Sequence, residues 1–362
     1  MDNLIAHKVE VDDNMFHVGV KYQINVQIAF HSEFDGIGIG GGASVGGWAA
    51  AAAAPLSTPF IGLDQALSSS FELLRPWESP LPRDRFLAAH AAGIHALLST
   101  GLAVVDALPA LRFVITNSVG VDHIDLAECA RRGVSVANVG TIFSTDVADY
   151  AVCLLLDVLR RVSAADRYVR RGQWPLAGDY PLGFRLGGKR VGIVGLGSIG
   201  CEVAKRLEVF GCLISYFYRQ RKPSTTYTYF PSVCDLAAAS DILVITCALT
   251  TETHHMVNKD VMSALGKDGV IINVARGALI DEAELVKHLM QGDIAGAGLD
   301  VFEHEPAVPK ELFCMDNVVL SHHTAIHTSE SFVDLHELIV ASLEAFFSNR
   351  PLLTPVLDCR SL

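Results

Sequence analysis

The chain has no uninterrupted apolar run approaching the roughly 18 residues that a membrane-spanning helix needs. It also has no C-x-x-C pair among its eight cysteines. Scattered cysteines without such spacing argue against a disulfide framework and are typical of reduced thiols in an intracellular protein. We therefore expect neither a transmembrane protein nor a small disulfide-stapled one.

Positive charge is scarce, since 28 Lys and Arg residues face 40 Asp and Glu residues for a net charge of −12. An acidic chain has no general attraction for nucleic acid or anionic membranes, so we expect neither partner. The first residues are acidic and lack arginine, which is typical of neither a signal peptide nor a transit peptide. The C-terminal Arg360-Ser361-Leu362 lacks the basic middle residue of an S-K-L signal. A cytoplasmic location is the resulting expectation.

A glycine-rich turn follows the apolar segment Val191–Val194 and has the spacing G-x-G-x-x-G. In a dinucleotide site the first glycine allows a tight turn, the second admits a pyrophosphate, and the third lets the following helix pack closely. That helix would offer free N–H groups to the phosphates. The residues predicted to contact the cofactor here are Gly195, Leu196, Gly197, Ser198, Ile199 and Gly200.

The context of this turn favours a real βαβ unit over an ordinary glycine loop. Ile199, Val203 and Leu207 have helical spacing, Gly211 is placed to end that helix, and a second apolar strand follows. The other glycine run, Gly36–Gly42, has no apolar strand directly before it and an alanine run after it. We interpret it as linker.

The second strand of this unit is followed by cations and by no acidic residue. A cofactor without a 2′-phosphate usually needs an acidic side chain there to bind its ribose. The chain instead has Arg219, Arg221 and Lys222, which suit a 2′-phosphate. The pattern predicts NADPH as the preferred cofactor, with NADH weaker; the alternative is a solvated basic loop.

The remaining pattern predicts an α/β protein with two doubly wound parallel-sheet domains, a flavodoxin-like substrate domain and a Rossmann cofactor domain. Six strands are predicted in the cofactor domain, and one long helix over 145–171 is predicted to bridge the domains. An amphipathic helix over 329–347 is predicted to pack back on the first domain. The predicted limits are 1–58 for a low-complexity N-terminal segment, 59–150 with 326–362 for the substrate domain, and 151–325 for the cofactor domain.

Three polar side chains follow the ends of three predicted strands: Arg276, Glu305 and His323. Because the carboxyl ends of parallel strands meet at one edge of a sheet, these residues should converge on one crevice. An arginine can bind a substrate carboxylate, a histidine can donate a proton to a carbonyl oxygen, and a carboxylate can orient the histidine. The combination suits reduction of a small 2-oxo acid; the alternative is that each is a surface residue of a loop.

With these motifs the chain resembles the NAD(P)-dependent D-isomer-specific 2-hydroxyacid dehydrogenases, and within them the plant glyoxylate/hydroxypyruvate reductases. The resemblance covers about residue 62 to the end. It implies Arg276, Glu305 and His323 as the catalytic set and the two 2-oxo acids, glyoxylate and hydroxypyruvate, as substrates. The matching segments are Asn117–Asp125, Val191–Gly200, Ile272–Gly277, Gly298–Glu303 with Glu305-Pro306, and Leu320–Ala325.

The same resemblance implies further contacts and a homodimer. Asp300 would lie near the nicotinamide carboxamide, and the backbones of Cys247 and Ala275 would line the cofactor crevice. A loop around Ser99, Thr100 and Gly101 would bind the substrate carboxylate together with Arg276.

The chain departs from the family pattern at three places. His322 replaces a usual proline, and His323 is preferred as proton donor because it keeps the H-x-A register. Residues 1 to about 60 do not match, and the family's first strand would fall on the alanine run. Tyr218 stands where a small polar residue often precedes the arginine, and its ring would crowd the 2′-phosphate.

Two histidine groups, His254 with His255 and His323 with His327, invite a metal interpretation. We expect no metal, because no Cys or acidic partner completes a site in the sequence.

Two other functions fit the same fold. One is a related dehydrogenase for a different 2-oxo acid, of the phosphoglycerate or phenylpyruvate type. The other is a non-enzymatic NAD(P)-sensing protein like the corepressors built on this fold, against which the intact Arg–Glu–His set argues.

Overall fold

A computed structural model describes residues 27–31, 63, 67–68, 71–74, 79–81, 83–90, 92–99 and 108–361. Within these residues the chain forms two sheets covered by helices, which confirms the predicted α/β class. No helix in the described ranges is long and apolar enough to cross a bilayer. The predicted linker Asp35–Pro59 and the glycine run Gly36–Gly42 lie outside the described residues.

The first sheet has the strand order β2-β1-β3-β4-β5, with β13 added antiparallel beside β5. The five N-terminal strands are parallel, and their 2-1-3-4-5 order is that of flavodoxin, as predicted. The strands are β1 (Gln27–His31), β2 (Glu72–Leu74), β3 (Ile94–Ser99), β4 (Phe113–Thr116), β5 (Ser135–Ala137) and β13 (Pro355–Leu357).

The second sheet is wholly parallel and has the order β12-β11-β10-β9-β6-β7-β8. This is the doubly wound Rossmann order with one extra strand at an edge. The strands are β6 (Arg190–Val194), β7 (Leu213–Phe217), β8 (Thr228–Phe230), β9 (Ile242–Ile245), β10 (Val270–Asn273), β11 (Gly296–Leu299) and β12 (Val318–Leu320). The central strands β9 and β10 are fully buried runs of branched side chains, as strands covered on both faces require.

Ten α-helices have both ends within the described residues. They are α1 (Arg83–His90), α2 (Leu126–Arg132), α3 (Ser144–Arg160), α4 (Val162–Arg170), α5 (Trp174–Ala177), α6 (Ser198–Val209), α7 (Val233–Ala238), α8 (Lys259–Leu265), α9 (Glu282–Gln291) and α10 (Ser329–Phe347). Sequence signals account for several ends: Asp125 caps α2 through the Glu128 amide, and Gly133 ends it in the left-handed conformation.

The predicted bridge helix over 145–171 is wrong in one respect, because it breaks into α3 and α4 at Arg161. This residue has φ +56°, a left-handed conformation that ends α3. Apolar spacing continues across the break, so the sequence pattern did not reveal it. Buried residues of α3 lie in the same core cluster as strands β6, β9 and β10, and the predicted domain boundary at 150/151 falls inside this helix.

The C-terminal helix α10 packs on the first sheet, where the Phe346 ring stacks on Phe113 of β4 at 4.5 Å. Its start is tied to α3, because Thr328 and Ser331 both donate hydrogen bonds to the carboxylate of Asp146. The chain thus passes between the two sheets at α3 and again at α10.

The prediction that separated residues 1–58 from the substrate domain needs correction at β1. Gln27–His31 form a parallel strand between β2 and β3, inside the first sheet. Strand β1 therefore precedes the glycine and alanine runs, whereas the prediction put the family's first strand on the alanine run, which lies outside the described residues. The alternating segment Val18–Phe30 overlaps this strand only at its end, and the rest of it lies outside the described residues.

Proline at Ala29 should destabilise the first sheet, because a proline has no N–H for the ladder that joins β1 to its neighbours. We expect Ala29→Pro to lower the free energy of unfolding in urea by at least about 2 kcal/mol. The matched control is Thr228→Pro at the first residue of the edge strand β8, where proline is tolerated. Equal urea midpoints for Ala29→Pro and the unmodified chain would contradict the assignment of β1.

Candidate active site

The candidate site lies at the carboxyl edge of the second sheet. Strands β6 and β9 are adjacent there, although β7 and β8 follow β6 in the chain, so the order reverses between them. Open α/β sheets bind ligands at such a switch point. The glycine turn follows β6, and Cys247 follows β9, so both predicted cofactor segments border this crevice.

The glycine turn fits a pyrophosphate by its shape. A Cβ on Gly195, which has φ +106°, would lie 2.5 Å from the Cys247 amide nitrogen, and a Cβ on Gly200 would lie 2.2 Å from the Gly195 carbonyl oxygen. Gly197 has nothing within 4 Å of such an atom, so space for a ligand is open on that side. Thr246 fixes the turn by donating a hydrogen bond of 2.7 Å to the Gly195 carbonyl.

The other predicted residues of this turn divide by burial. Leu196 is buried in the core and has only its backbone to offer, and Ile199 is half-buried against the same cluster. Ser198 is exposed at the first position of α6. The N-terminal turn of a 12-residue helix therefore points its free amides toward the crevice.

The predicted phosphate-binding cations follow β7. Arg221 and Lys222 line a small surface cavity with Pro223 and Thr225. The Lys222 ammonium lies 4.6 Å from the centre of the Tyr218 ring, so this tyrosine supports the cluster by a cation–π contact. Hydrogen bonds from Thr250 and Thr251 lower the pKa of Glu252, and the positive charge of Arg219 contributes to the same lowering. Arg219 is thus near enough to Glu252, on the segment after β9, for its charge to act on that carboxylate.

His323 and Glu305 form a hydrogen-bonded pair of 2.8 Å between Nδ1 and Oε2. The other carboxylate oxygen of Glu305 accepts from the Phe302 amide at 3.0 Å. Burial alone would raise the pKa of Glu305, but the hydrogen bond and charge of His323, with the nearby charge of Arg276, lower it below its usual range. The ionised Glu305 accepts a hydrogen bond from the Nδ1–H group of His323. The other ring nitrogen, Nε2, is then free to meet a substrate.

The backbone at His323 differs from the expectation. The choice between His322 and His323 assumed an extended segment, whereas His323 has φ +56° and sits in a bend. Its amide donates to the Asp300 carbonyl at 2.7 Å, which holds this conformation. His323 still reaches Glu305, while His322 is exposed and lies edge-on to the His327 ring at 6.2 Å.

Arg276 lies on a loop that its neighbours fix closely. Asn273, fully buried, accepts from the Ala275 amide and donates to the Arg276 carbonyl, so its side chain bridges the loop. A Cβ on Gly277 would lie only 1.8 Å from the Phe302 carbonyl carbon. The loop carrying Arg276 therefore packs directly against the backbone that leads to Glu305.

Asp300, which the resemblance placed near the nicotinamide, is almost completely buried. Its carboxylate accepts hydrogen bonds from the Ser321 hydroxyl and from the amides of Thr324 and Ala325. In this structure it ties β11 to the loop that carries the histidine. The contact with a nicotinamide carboxamide stays a prediction.

The remaining predicted residues are placed less completely. Ser99 is the last residue of β3, and Thr100 and Gly101 lie outside the described residues, so the substrate loop stays a prediction. Burial raises the pKa of the Cys247 thiol to about 11. The thiol is therefore protonated and unreactive at neutral pH, and the residue only lines the crevice. Ala275 directly precedes Arg276 on the other side.

The expected absence of a metal rested on a reason that is wrong. Glu303 is an acidic partner for the histidine pair, and ligand atoms of His254, His255 and Glu303 lie within 4.8 Å of one another. His255 Nε2 and Glu303 Oε1 already share a hydrogen bond of 2.8 Å. This pair joins the segment after β9 to the segment after β11, and the absence of a metal stays a prediction.

Sequence reasoning assigned no role to Gly120, Asp122 or Asn273. Asp122 pairs with Arg276 from the first domain, and a Cβ on Gly120 would lie 2.3 Å from Arg276 Nη2. Gly120 and Asp122 lie within the Asn117–Asp125 segment that carried part of the resemblance. The sequence signal that could have identified Gly120 and Asp122 is the polar loop directly after the buried strand β4.

The chain is similar to known proteins over most of its length. The model for the NAD-binding domain of D-isomer-specific 2-hydroxyacid dehydrogenases matches residues 152–325. A glyoxylate/hydroxypyruvate reductase of Arabidopsis thaliana is 55% identical over 300 residues, covering 81% of this chain and 93% of its own. A hydroxyphenylpyruvate reductase of Plectranthus scutellarioides is 50% identical over 307 residues, covering 83% of this chain and 96% of its own.

Solved structures are similar as well. The crystal structure of an NADPH-dependent glyoxylate/hydroxypyruvate reductase from Sinorhizobium meliloti, in complex with NADP and malonate, superposes with a TM-score of 0.81. It is 34% identical, and the match covers 93% of this chain and 98% of that one.

Proposed function

Because this chain belongs to the family of D-isomer-specific 2-hydroxyacid dehydrogenases, we propose that it reduces glyoxylate to glycolate and hydroxypyruvate to D-glycerate. NADPH is the proposed reductant, and NADH the weaker one. The observation that carries the proposal is the 2.8 Å pair of His323 and Glu305, beside the loop that bears Arg276. The homodimer and the cytoplasmic location stay predictions.

Each of the three side chains has its own role in the proposed reduction of a 2-oxo acid. Arg276 binds the substrate carboxylate, which turns the carbonyl oxygen toward His323. His323 donates its Nε2 proton to that oxygen and becomes neutral, with its Nδ1 proton still held by Glu305. When bound, a reduced nicotinamide would supply the hydride for C2, so the C=O group would become CH–OH without a further co-reactant.

The residues proposed to hold that cofactor suit its phosphates. Free amides at the start of α6 and the open side of Gly197 would receive the pyrophosphate. Arg219, Arg221 and Lys222 would receive a 2′-phosphate. The related Sinorhizobium meliloti enzyme, described as NADPH-dependent and crystallised with NADP, supports this choice.

A second candidate substrate is hydroxyphenylpyruvate, because a reductase of that name is 50% identical to this chain. Both activities use the same catalytic set and differ in the side chain that the pocket accepts. Initial rates with glyoxylate, hydroxypyruvate and hydroxyphenylpyruvate, each with NADPH and with NADH, decide between them. A kcat/KM that favours hydroxyphenylpyruvate would overturn the substrate proposal, and no turnover of any 2-oxo acid would overturn the activity.

Cofactor preference should depend on Arg219. We expect Arg219→Ala to raise the KM for NADPH at least about tenfold, the scale of one lost charge-assisted phosphate contact. The KM for NADH is the internal control and should change little, because NADH has no 2′-phosphate. Equal losses for both cofactors would contradict the assignment of the phosphate to this loop.

A further inference from the structure

We propose that Asp122 is a positioning residue that aims Arg276 at the substrate carboxylate, and that the substrate domain supplies it. The inference rests on the proposed function, in which Arg276 binds that carboxylate. Asp122 lies on the loop between β4 and α2, whereas Arg276 follows β10 of the other sheet. The pair therefore joins the two domains across the candidate site.

The Arg276 guanidinium donates hydrogen bonds to the protein from Nε and Nη1. Its Nε donates to both Asp122 oxygens, at 3.3 and 3.4 Å, and its Nη1 donates to the Ala275 carbonyl at 2.8 Å. Among the described residues, none accepts a hydrogen bond from Nη2. An arginine binds a carboxylate through two parallel N–H bonds, so holding Nε from behind presents the Nη edge to an incoming substrate.

The Asp122 loop is built to stay in place. The Ser118 hydroxyl donates to the Gly120 carbonyl at 2.6 Å and also contacts the Thr116 hydroxyl at 3.0 Å. Asp125, three residues after Asp122, caps α2. A Cβ on Gly120 would lie 2.3 Å from Arg276 Nη2, so this glycine lets the guanidinium lie directly against the loop. The backbone and the carboxylate of one rigid loop thus form the slot in which the guanidinium lies.

The pair is also placed to matter energetically. Both side chains are only about one quarter exposed, at 26% for Arg276 and 25% for Asp122, so water screens them less than a surface pair. Asp122 and His254 line the same cavity, which opens beside the pair. Without Asp122, the long Arg276 side chain would have to be ordered by the substrate itself, at a cost to binding.

Kinetics with a 2-oxo acid and NADPH test this role. We expect Asp122→Ala to raise the KM for glyoxylate about tenfold and to change kcat less than threefold, with the KM for NADPH unchanged. Asp122→Asn keeps an acceptor for Nε and should recover much of the loss. Asp149→Asn is the matched control, because Asp149 also pairs with an arginine but on the exposed surface of α3; it should leave every constant unchanged.

A double substitution separates positioning from a direct contact. If Asp122 acts through Arg276, then Asp122→Ala should add nothing to the KM effect of Arg276→Ala. The inference is overturned if Arg276→Ala raises the KM for glyoxylate but Asp122→Ala leaves it unchanged. It is also overturned if Asp122→Ala lowers that KM by removing a charge that repels the substrate. Wild-type KM in Arg276→Ala would instead overturn the proposed role of Arg276, so the two failures are distinguishable.

Discussion

His323→Ala should lower kcat for glyoxylate reduction at least about a hundredfold, the low end of the effect of losing a general acid. Its Nδ1 is held by Glu305 at 2.8 Å, so Nε2 is the nitrogen available to a substrate carbonyl. His322 is exposed beside His327 and makes no contact with Glu305. His322→Ala is therefore the matched control and should cost less than about threefold in kcat.

Glu305→Gln tests how the pair works. The Glu305 carboxylate accepts a hydrogen bond from Nδ1 of His323, which fixes the imidazole ring with Nε2 toward the substrate. A neutral glutamine amide is a weaker acceptor than an ionised carboxylate, so kcat should fall about tenfold or more in this variant. The pKa of Glu305 is lowered below 4.5, so its charge is present above that value and is lost only as the pH falls through the lowered pKa. In the unmodified enzyme, Glu305 should thus impose no loss of activity down to about pH 4.5.

Two results would contradict this assignment. A larger kcat loss in His322→Ala than in His323→Ala would move the proton donor by one residue. An unchanged kcat in Glu305→Gln would show that the charged hydrogen bond from Glu305 does not fix the ring. NADPH affinity should be unchanged in all three variants, because none of these side chains lies on the glycine turn or the basic loop.

That Arg276, Glu305 and His323 lie at one edge of the second sheet could be predicted from the sequence, because it follows from the strand order. Arg276 and His323 follow strands that share one carboxyl edge, and Glu305 follows the strand between them. Helix α10 was predicted to its ends, since Thr328 is a good capping residue and the apolar spacing runs unbroken to Phe347. Local patterns were sufficient in these cases.

Features that depend on distant contacts could not be predicted in the same way. Alternation hinted at a strand ending near Phe30, but nothing local shows that β1 inserts between β2 and β3 across a long connection. The Asp122–Arg276 pair joins residues 154 positions apart. The break at Arg161 uses a left-handed conformation that glycine usually marks, and no glycine stands there. Strand β8 has only three residues and lies at a sheet edge, where its pattern is weak.

Gly277→Ala should have an effect comparable to loss of the histidine, although glycine has no side chain to react. A Cβ at this position would lie 1.8 Å from the carbonyl carbon of Phe302 and 2.3 Å from the amide nitrogen of Glu303. Both are backbone atoms, so one of the two loops must move. Because one loop carries Arg276 and the other leads to Glu305, the catalytic geometry cannot survive that movement, and kcat/KM for glyoxylate should fall at least about a hundredfold.

The control for this change separates the clash from the general cost of replacing a glycine. Gly292 ends α9 in the left-handed conformation, at φ +72°, and nothing lies within 4 Å of a Cβ there. Gly292→Ala should lose about 1 kcal/mol of unfolding free energy and keep full activity. Fluorescence titration with NADPH should show that Gly277→Ala still binds the cofactor. The glycine turn that would hold the pyrophosphate follows β6, whereas Gly277 follows β10. Equal kcat/KM values for Gly277→Ala and the fully active Gly292→Ala would contradict this prediction. The close packing of the two loops would then not be what aligns Arg276 with the His323–Glu305 pair.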